Sequence, residues 1–384
     1  MADIRLPTPS GGIEMYQISA GAAPQKAGVW NRRAYAAAHV VADPLAFIDP
    51  WIDTAIDWDK TLAFRQHLWG LGFGVAEAMD TAQRGMGLDW PTSLELITRS
   101  TALAKDGGHL IASGAGTDHL TLSADLTVDD VIAAYELQCE AVEAAGSRVI
   151  LMASRALCAV AKSPDDYLRV YDRVLGGLAQ PAILHWLGEM FDPALAGYWG
   201  AQDHDVAMGH CLDVLAANAS KIDGIKISLL SASKEISMRR RLPDGVLMYT
   251  GDDFNYPELI KGDEHGYSHA LLGIFDPIAG AAAKALGALA NGDTIGYHAA
   301  FDPTVPLSRH IFKAPTRFYK TGVVFMAYLN GHQDHFTMVG GQESTRSTQH
   351  LAQILRLANE AQIFTDPEQT AARARAVFSA RGVT

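Results

Sequence analysis

The sequence predicts a (β/α)8 barrel followed by a C-terminal helical extension. Eight short apolar runs alternate with longer amphipathic stretches, the pattern of βα units and a parallel sheet. The runs end in polar clusters, where the active face of a barrel would lie. A doubly wound open sheet is the runner-up. It is weakened because no glycine fingerprint for a dinucleotide follows any early run.

Residues 1–32 are rich in Gly, Pro and Ala without clear periodicity, and read as an N-terminal arm. The eight runs are 33–41, 74–80, 109–114, 148–154, 181–186, 224–229, 245–249 and 270–275. Helical stretches separate them, for example 131–145 and 165–176. Thr127 or Asp129 precedes the first of these as a candidate cap. Ser163-Pro164 opens the second, with proline at the first helical position. The barrel is expected over 33–291. Beyond Asn291 the pattern turns mainly helical, through 317–329 and 349–361, so 292–384 read as the extension.

Apolar residues at 48% and charged residues at 19% describe a soluble globular chain, and no apolar run is long enough to span a bilayer. The first ten residues lack the apolar core of a signal peptide. A net charge of −12 argues against a nucleic-acid groove. Cys139, Cys158 and Cys211 are odd in number and widely spaced. They fit reduced thiols and a cytoplasmic location better than a disulfide framework or a zinc site.

The run 224–229 carries one lysine. Alternation puts Ile225, Ile227 and Leu229 on one face, and Gly224, Lys226 and Ser228 on the other. Lys226 is then a desolvated amine, and desolvation favours the neutral, nucleophilic form. The bland alternative is a strand-end lysine that reaches solvent or pairs with a carboxylate. The other strand ends contribute Asp80, Thr81 and Arg84, then Arg155, His185, Gly251 and Asp252. Arg84 and Arg155 are cations suited to a substrate carboxylate, or to ordinary loop ion pairs. His185 is either a proton shuttle or a satisfied core histidine. Thr81, Asp80, Asp252 and Asp253 either bind substrate or cap helices.

Four stretches resemble the dihydrodipicolinate synthase / N-acetylneuraminate lyase family over roughly residues 33–360. Gly224-Ile225-Lys226 resembles the strand of its Schiff-base lysine. Val246-Leu247-Met248-Tyr249-Thr250-Gly251-Asp252-Asp253 resembles the next strand. Pro181-Ala182-Ile183-Leu184-His185-Trp186 resembles the strand of the catalytic tyrosine, with His185 at the tyrosine position. Asp80-Thr81-Ala82-Gln83-Arg84 resembles the Gly-Thr-Thr-Gly-Glu carboxylate loop, keeping Thr81 but carrying Ala82 in place of the second hydroxyl. Ser154-Arg155-Ala156 replaces the tyrosine motif after strand four. Glu189 and Met190 lie where the family has an arginine.

The resemblance implies a class I aldolase or lyase, or a dehydratase of the same mechanism, acting on a small 2-oxo acid or a sugar-derived oxo acid. It implies catalytic roles for Lys226, His185 and Thr81, and substrate binding by Asp80, Arg84, Arg155, Gly251 and Asp252. It implies no cofactor, no metal, and a homo-oligomer, dimer or tetramer. Two rivals stand beside it. One is a metal-dependent barrel isomerase or aldolase, drawing on His185, Glu189, Asp80, Asp118 and His119, although no His-Glu-x-x-His motif is present. The other is a non-catalytic metabolite-binding barrel.

Overall fold

In the computed structural model, which describes residues 1–24 and 28–383, eight strands close into a parallel barrel. A two-stranded ribbon precedes it: β1 (Ala2–Pro7) pairs antiparallel with β2 (Ile13–Ile18). The barrel strands are β3 (Ala34–Ala37), β4 (Gly74–Glu77), β5 (Ile111–Ala115), β6 (Arg148–Leu151), β7 (Ala182–Leu187), β8 (Ile222–Ser228), β9 (Leu247–Thr250) and β10 (His269–Leu272). Each pairs with the next in order, and β10 closes on β3. All eight predicted runs are therefore strands, most of them shorter than expected because the runs continue into the turns at the strand ends. No described helix is long and apolar enough to cross a membrane.

Side-chain alternation sorts each strand between two cores. Tyr35, Ala37, Ala76, Ala112, Ile150, Ile183, Tyr249 and Leu271 form a small cluster inside the barrel. Their neighbours, Ile225, Ile227 and Leu184 among them, join the larger core under the surrounding helices. Three alanines in the lumen leave room for longer side chains above them. The expected helix starts are present. Thr127 caps Val128–Ala145 in a reciprocal pair with Asp130, and Pro164 opens Pro164–Gly177.

Within the expected N-terminal arm, residues 2–18 form this ribbon. β1 alternates buried Ala2, Ile4 and Leu6 with exposed Asp3 and Arg5. The ribbon docks on the C-terminal helices: Arg356 donates to the Pro7 carbonyl and to Glu14, and Arg375 to the Asp3 carbonyl. A lone hairpin is marginal in water, so this one depends on helices more than 300 residues away in sequence. That dependence hid it in the local pattern. After β3, the loop over residues 43–54 leaves Leu45, Phe47, Trp51 and Ile52 almost fully exposed.

One buried ion pair sets the turn after β4. Arg65 grips Glu77 through two bonds of 2.8 and 2.9 Å, and neither side chain meets solvent. Arg65 also donates to the carbonyls of His39 and Thr61. Glu77 accepts the N–H of Ala78 at 2.9 Å. Ala78 has φ +51, left-handed backbone that a non-glycine residue rarely adopts. Burial alone would raise the Glu77 carboxyl, but Arg65 overrides it and holds the group below its usual range. This contribution to stability is therefore present above the usual carboxylate pKa and lost as pH falls through the depressed value. Arg65→Met orphans a buried carboxylate and is expected to cost about 3–5 kcal/mol. The difference from wild type should shrink in acid, where Glu77 takes up a proton. Urea unfolding at neutral and acidic pH checks both; a loss that does not vary with pH would assign the effect to packing.

Candidate active site

β8 brings Lys226 into the lumen, because its neighbours Ile225 and Ile227 face the helices. Lys226 is 7% exposed, and among the described residues it has no ion pair within 4.0 Å. Burial lowers its pKa, against the opposing pull of Asp253 and Asp80. Gly251, at the end of β9, is required by the lysine: a Cβ there would lie 2.7 Å from Lys226 Cε and 2.3 Å from Ser228 Oγ. Asp253 is fully enclosed, accepts the N–H of Ile274 at 2.9 Å, and is pushed by burial up to about 7.

His185 stands opposite Lys226 in the β7–β8 register. Its Nε2 lies 3.2 Å from Ser228 Oγ, and its buried Nδ1 has no partner among the described residues. Burial, then the nearby Lys226, holds the imidazole well below its ordinary pKa, so it is neutral. It is thus a core histidine with one nitrogen free, placed beside the lysine.

The turn after β4 presents Thr81, whose hydroxyl lies 2.9 Å from the Tyr319 hydroxyl. Tyr319 is outside the barrel in sequence, at the start of the helix Tyr319–Leu329. Phe312 stacks on its ring at 4.4 Å, and Phe191 packs edge-on at 6.1 Å. Gly273, at the end of β10, lies beneath: a Cβ there would come 3.3 Å from both Thr81 Oγ1 and the Tyr319 ring. Burial raises the Tyr319 phenol well above its ordinary value, so it is a proton donor. The next residue, Lys320, is also buried, and burial lowers it to about 8, against Asp80 and Asp192.

A cavity of about 160 Å³ opens at this end of the barrel. Asp80, Arg84, Arg155, His185 and Asp192 contribute to its wall. Arg84 is held on every side. It donates to Asp118 at 2.8 and 3.0 Å, to the Gly114 carbonyl and to Gln138. Arg155 pairs with Asp192 but remains partly open, with its side chain 44% exposed. Asp252 is engaged locally, accepting the N–H groups of Phe254 and Asn255 and the Asn255 amide. The fold therefore gathers Lys226, His185, Thr81, Asp80, Arg155 and Gly251 at one end, while Arg84 and Asp252 have saturated neighbours of their own. Among the described residues, His, Cys, Asp and Glu form no group of three or more arranged to hold a metal.

The closed eight-stranded barrel with its flanking helices is a fold shared with dihydrodipicolinate synthases. The synthase of Bacillus clausii superposes with a TM-score of 0.62 at 14% identity, over 85% of this chain and 96% of its own. The Thermotoga maritima synthase gives 0.62 at 12% identity, over 87% and 99%. A prophage protein of the dihydrodipicolinic acid synthase family from E. coli K12, solved in complex with pyruvate, gives 0.60 at 14%, over 93% and 100%. By sequence, the chain belongs to the family described as "Protein of unknown function (DUF993)", whose profile matches residues 4–383. No curated protein matches the sequence.

Sequence reasoning missed Tyr319 and Lys320. No local signal marks them, since they come from a helix that folds back over the mouth. Ser228 shares the lysine's strand face and was legible from alternation. The two buried amines give a direct check. In NMR spectra of reductively methylated protein, Lys320 is expected to titrate near 8 and Lys226 below the ordinary lysine value. Assignment by single lysine-to-arginine variants identifies each signal. Ordinary titration of both would mean that water reaches them freely.

Proposed function

We propose that the protein is a class I lyase or aldolase that acts on a small 2-oxo acid through a Schiff base on Lys226. The observation that carries this reading is a lysine in the barrel lumen with its amine desolvated and unpaired. The neutral Nζ attacks the 2-carbonyl carbon, and the carbinolamine loses water to give an iminium. The iminium draws electrons from the bond at the adjacent carbon, which breaks as a C–C bond or loses a proton. Return of a proton and hydrolysis free the product and restore the amine. The Thr81–Tyr319 pair is the relay for the water-losing steps, and the free Nδ1 of His185 can accept a proton beside the lysine. Arg155, on the cavity wall and partly open, is the cation suited to the substrate carboxylate. The cavity lined by His185, Asp80 and Arg155, next to Lys226 rather than around it, lies well below the ~300 Å³ of drug-sized pockets, which favours a small acid.

Borohydride reduction in the presence of pyruvate or a longer 2-oxo acid tests the reading, with mass spectrometry of the protein as readout. The wild type should gain one adduct, on Lys226, and Lys226→Arg should gain none. Tyr319→Phe should slow adduct formation by about 10²-fold or more while leaving Lys226 competent at long times. An adduct on another lysine, or full activity in Lys226→Arg, would remove the Schiff-base mechanism.

We further propose a homo-oligomer, supported by the exposed apolar loop over 43–54. Light scattering should show a dimer or tetramer in the wild type. The double substitution Phe47→Glu and Trp51→Glu should shift it toward monomer. An unchanged mass would place any subunit contact elsewhere.

A further inference from the structure

A second hollow lies away from the barrel mouth, between two C-terminal helices and the β1–β2 turn. It is an open depression of about 430 Å³, and His310, Lys313, Arg346, Ser347 and His350 contribute to its wall. Among the described residues no carboxylate lines it. His310 comes from the helix Val305–Ile311, and Lys313 follows that helix. His350 sits in the first turn of Thr348–Glu360, a helix capped by Ser347, so the positive end of a thirteen-residue helix opens here.

His310 reaches the His350 carbonyl through Nε2 at 3.1 Å, but other polar atoms in this hollow lack the partners that buried groups normally find. His350 is 4% exposed, and neither ring nitrogen has a partner among the described residues. The buried Nε of Arg346 is likewise without one. The His310 and His350 rings stack at 4.3 Å, which brings two imidazoles together beside Lys313 and Arg346. Burial, then these neighbours, lowers His310 to about 4 and His350 to about 3. Two cations, Lys313 and Arg346, thus converge beside two neutral imidazoles whose ring N–H groups can donate, with no carboxylate facing them among the described residues, an arrangement that an anion would complete.

The geometry points to a binding site for the phosphate group of a small soluble molecule, held by Lys313, Arg346 and His350 at the N-terminus of Thr348–Glu360. Phosphate suits the site because its oxygens accept from several donors converging from different elements. Arg346 also clasps the carbonyls of Lys313 and Pro315 at 2.7 and 3.0 Å. The site therefore adjoins the segment that carries Phe312 and Tyr319 to the barrel mouth.

Titration calorimetry of the full chain with inorganic phosphate, in a chloride buffer at neutral pH, tests the assignment. One saturable site per chain is expected. Lys313→Glu alters an exposed side chain and should weaken binding by about tenfold. His350→Phe, with folding verified by circular dichroism, should weaken it as well. Arg155→Ala, at the barrel mouth, should leave it unchanged. Phenyl phosphate in a parallel titration separates the sources: binding like phosphate identifies a phosphomonoester site, and exclusion identifies a free-oxyanion site. Absence of saturable binding into the millimolar range, or binding that survives Lys313→Glu and is lost in Arg155→Ala, would overturn the proposal.

Discussion

A lysine amine inside a barrel loses the hydration that keeps it charged, and much of this structure is arranged around that loss. The lumen below Lys226 is lined mainly by Ala37, Ala76, Ala112, Ile150, Ile183 and Leu271, and the hydroxyl of Tyr249 among them is taken up by Asp223. Gly251 clears the space its side chain crosses. The acids that act on it, Asp253 and Asp80, form no close ion pair with it. Asp253 is itself pushed up to about 7 by the same burial. Amine and carboxyl are thus both biased toward their neutral forms, and no salt bridge within 4.0 Å holds the amine among the described residues.

The second organising element is the turn that follows β4. Arg65 and Glu77 hold the strand end, Ala78 takes a strained conformation, and Thr81 is delivered to the mouth. Arg84 continues the same logic one step further along. Its ties to Asp118, Gly114 and Gln138 bind the ends of β4 and β5 together, so this arginine braces the site. The burial that makes these ion pairs costly to break also gives the turn a defined geometry.

The C-terminal helices complete the site instead of decorating it. Tyr319 and Lys320 enter from a helix more than 200 residues beyond Thr81, and stacking by Phe312 orients the tyrosine. A hydroxyl pair therefore forms within one chain, between a barrel turn and a covering helix. The N-terminal ribbon, docked on the same helices through Arg356 and Arg375, ties both chain ends into this layer.

Sequence alone determined the barrel and the position of its lysine. Both follow from local periodicity: eight alternating runs make eight strands, and the period of two puts Lys226 opposite Ile225 and Ile227. It also placed His185 and Thr81 at the same end of the barrel as Lys226, since strand ends in a parallel barrel share one face. It did not separate Arg155, open to the cavity, from Arg84, enclosed by three partners, because nothing local distinguishes one loop arginine from another. Tyr319, Lys320 and the β1–β2 ribbon were decided only by tertiary structure. Their positions rest on contacts between residues hundreds of positions apart, and such contacts leave no periodic trace in the chain.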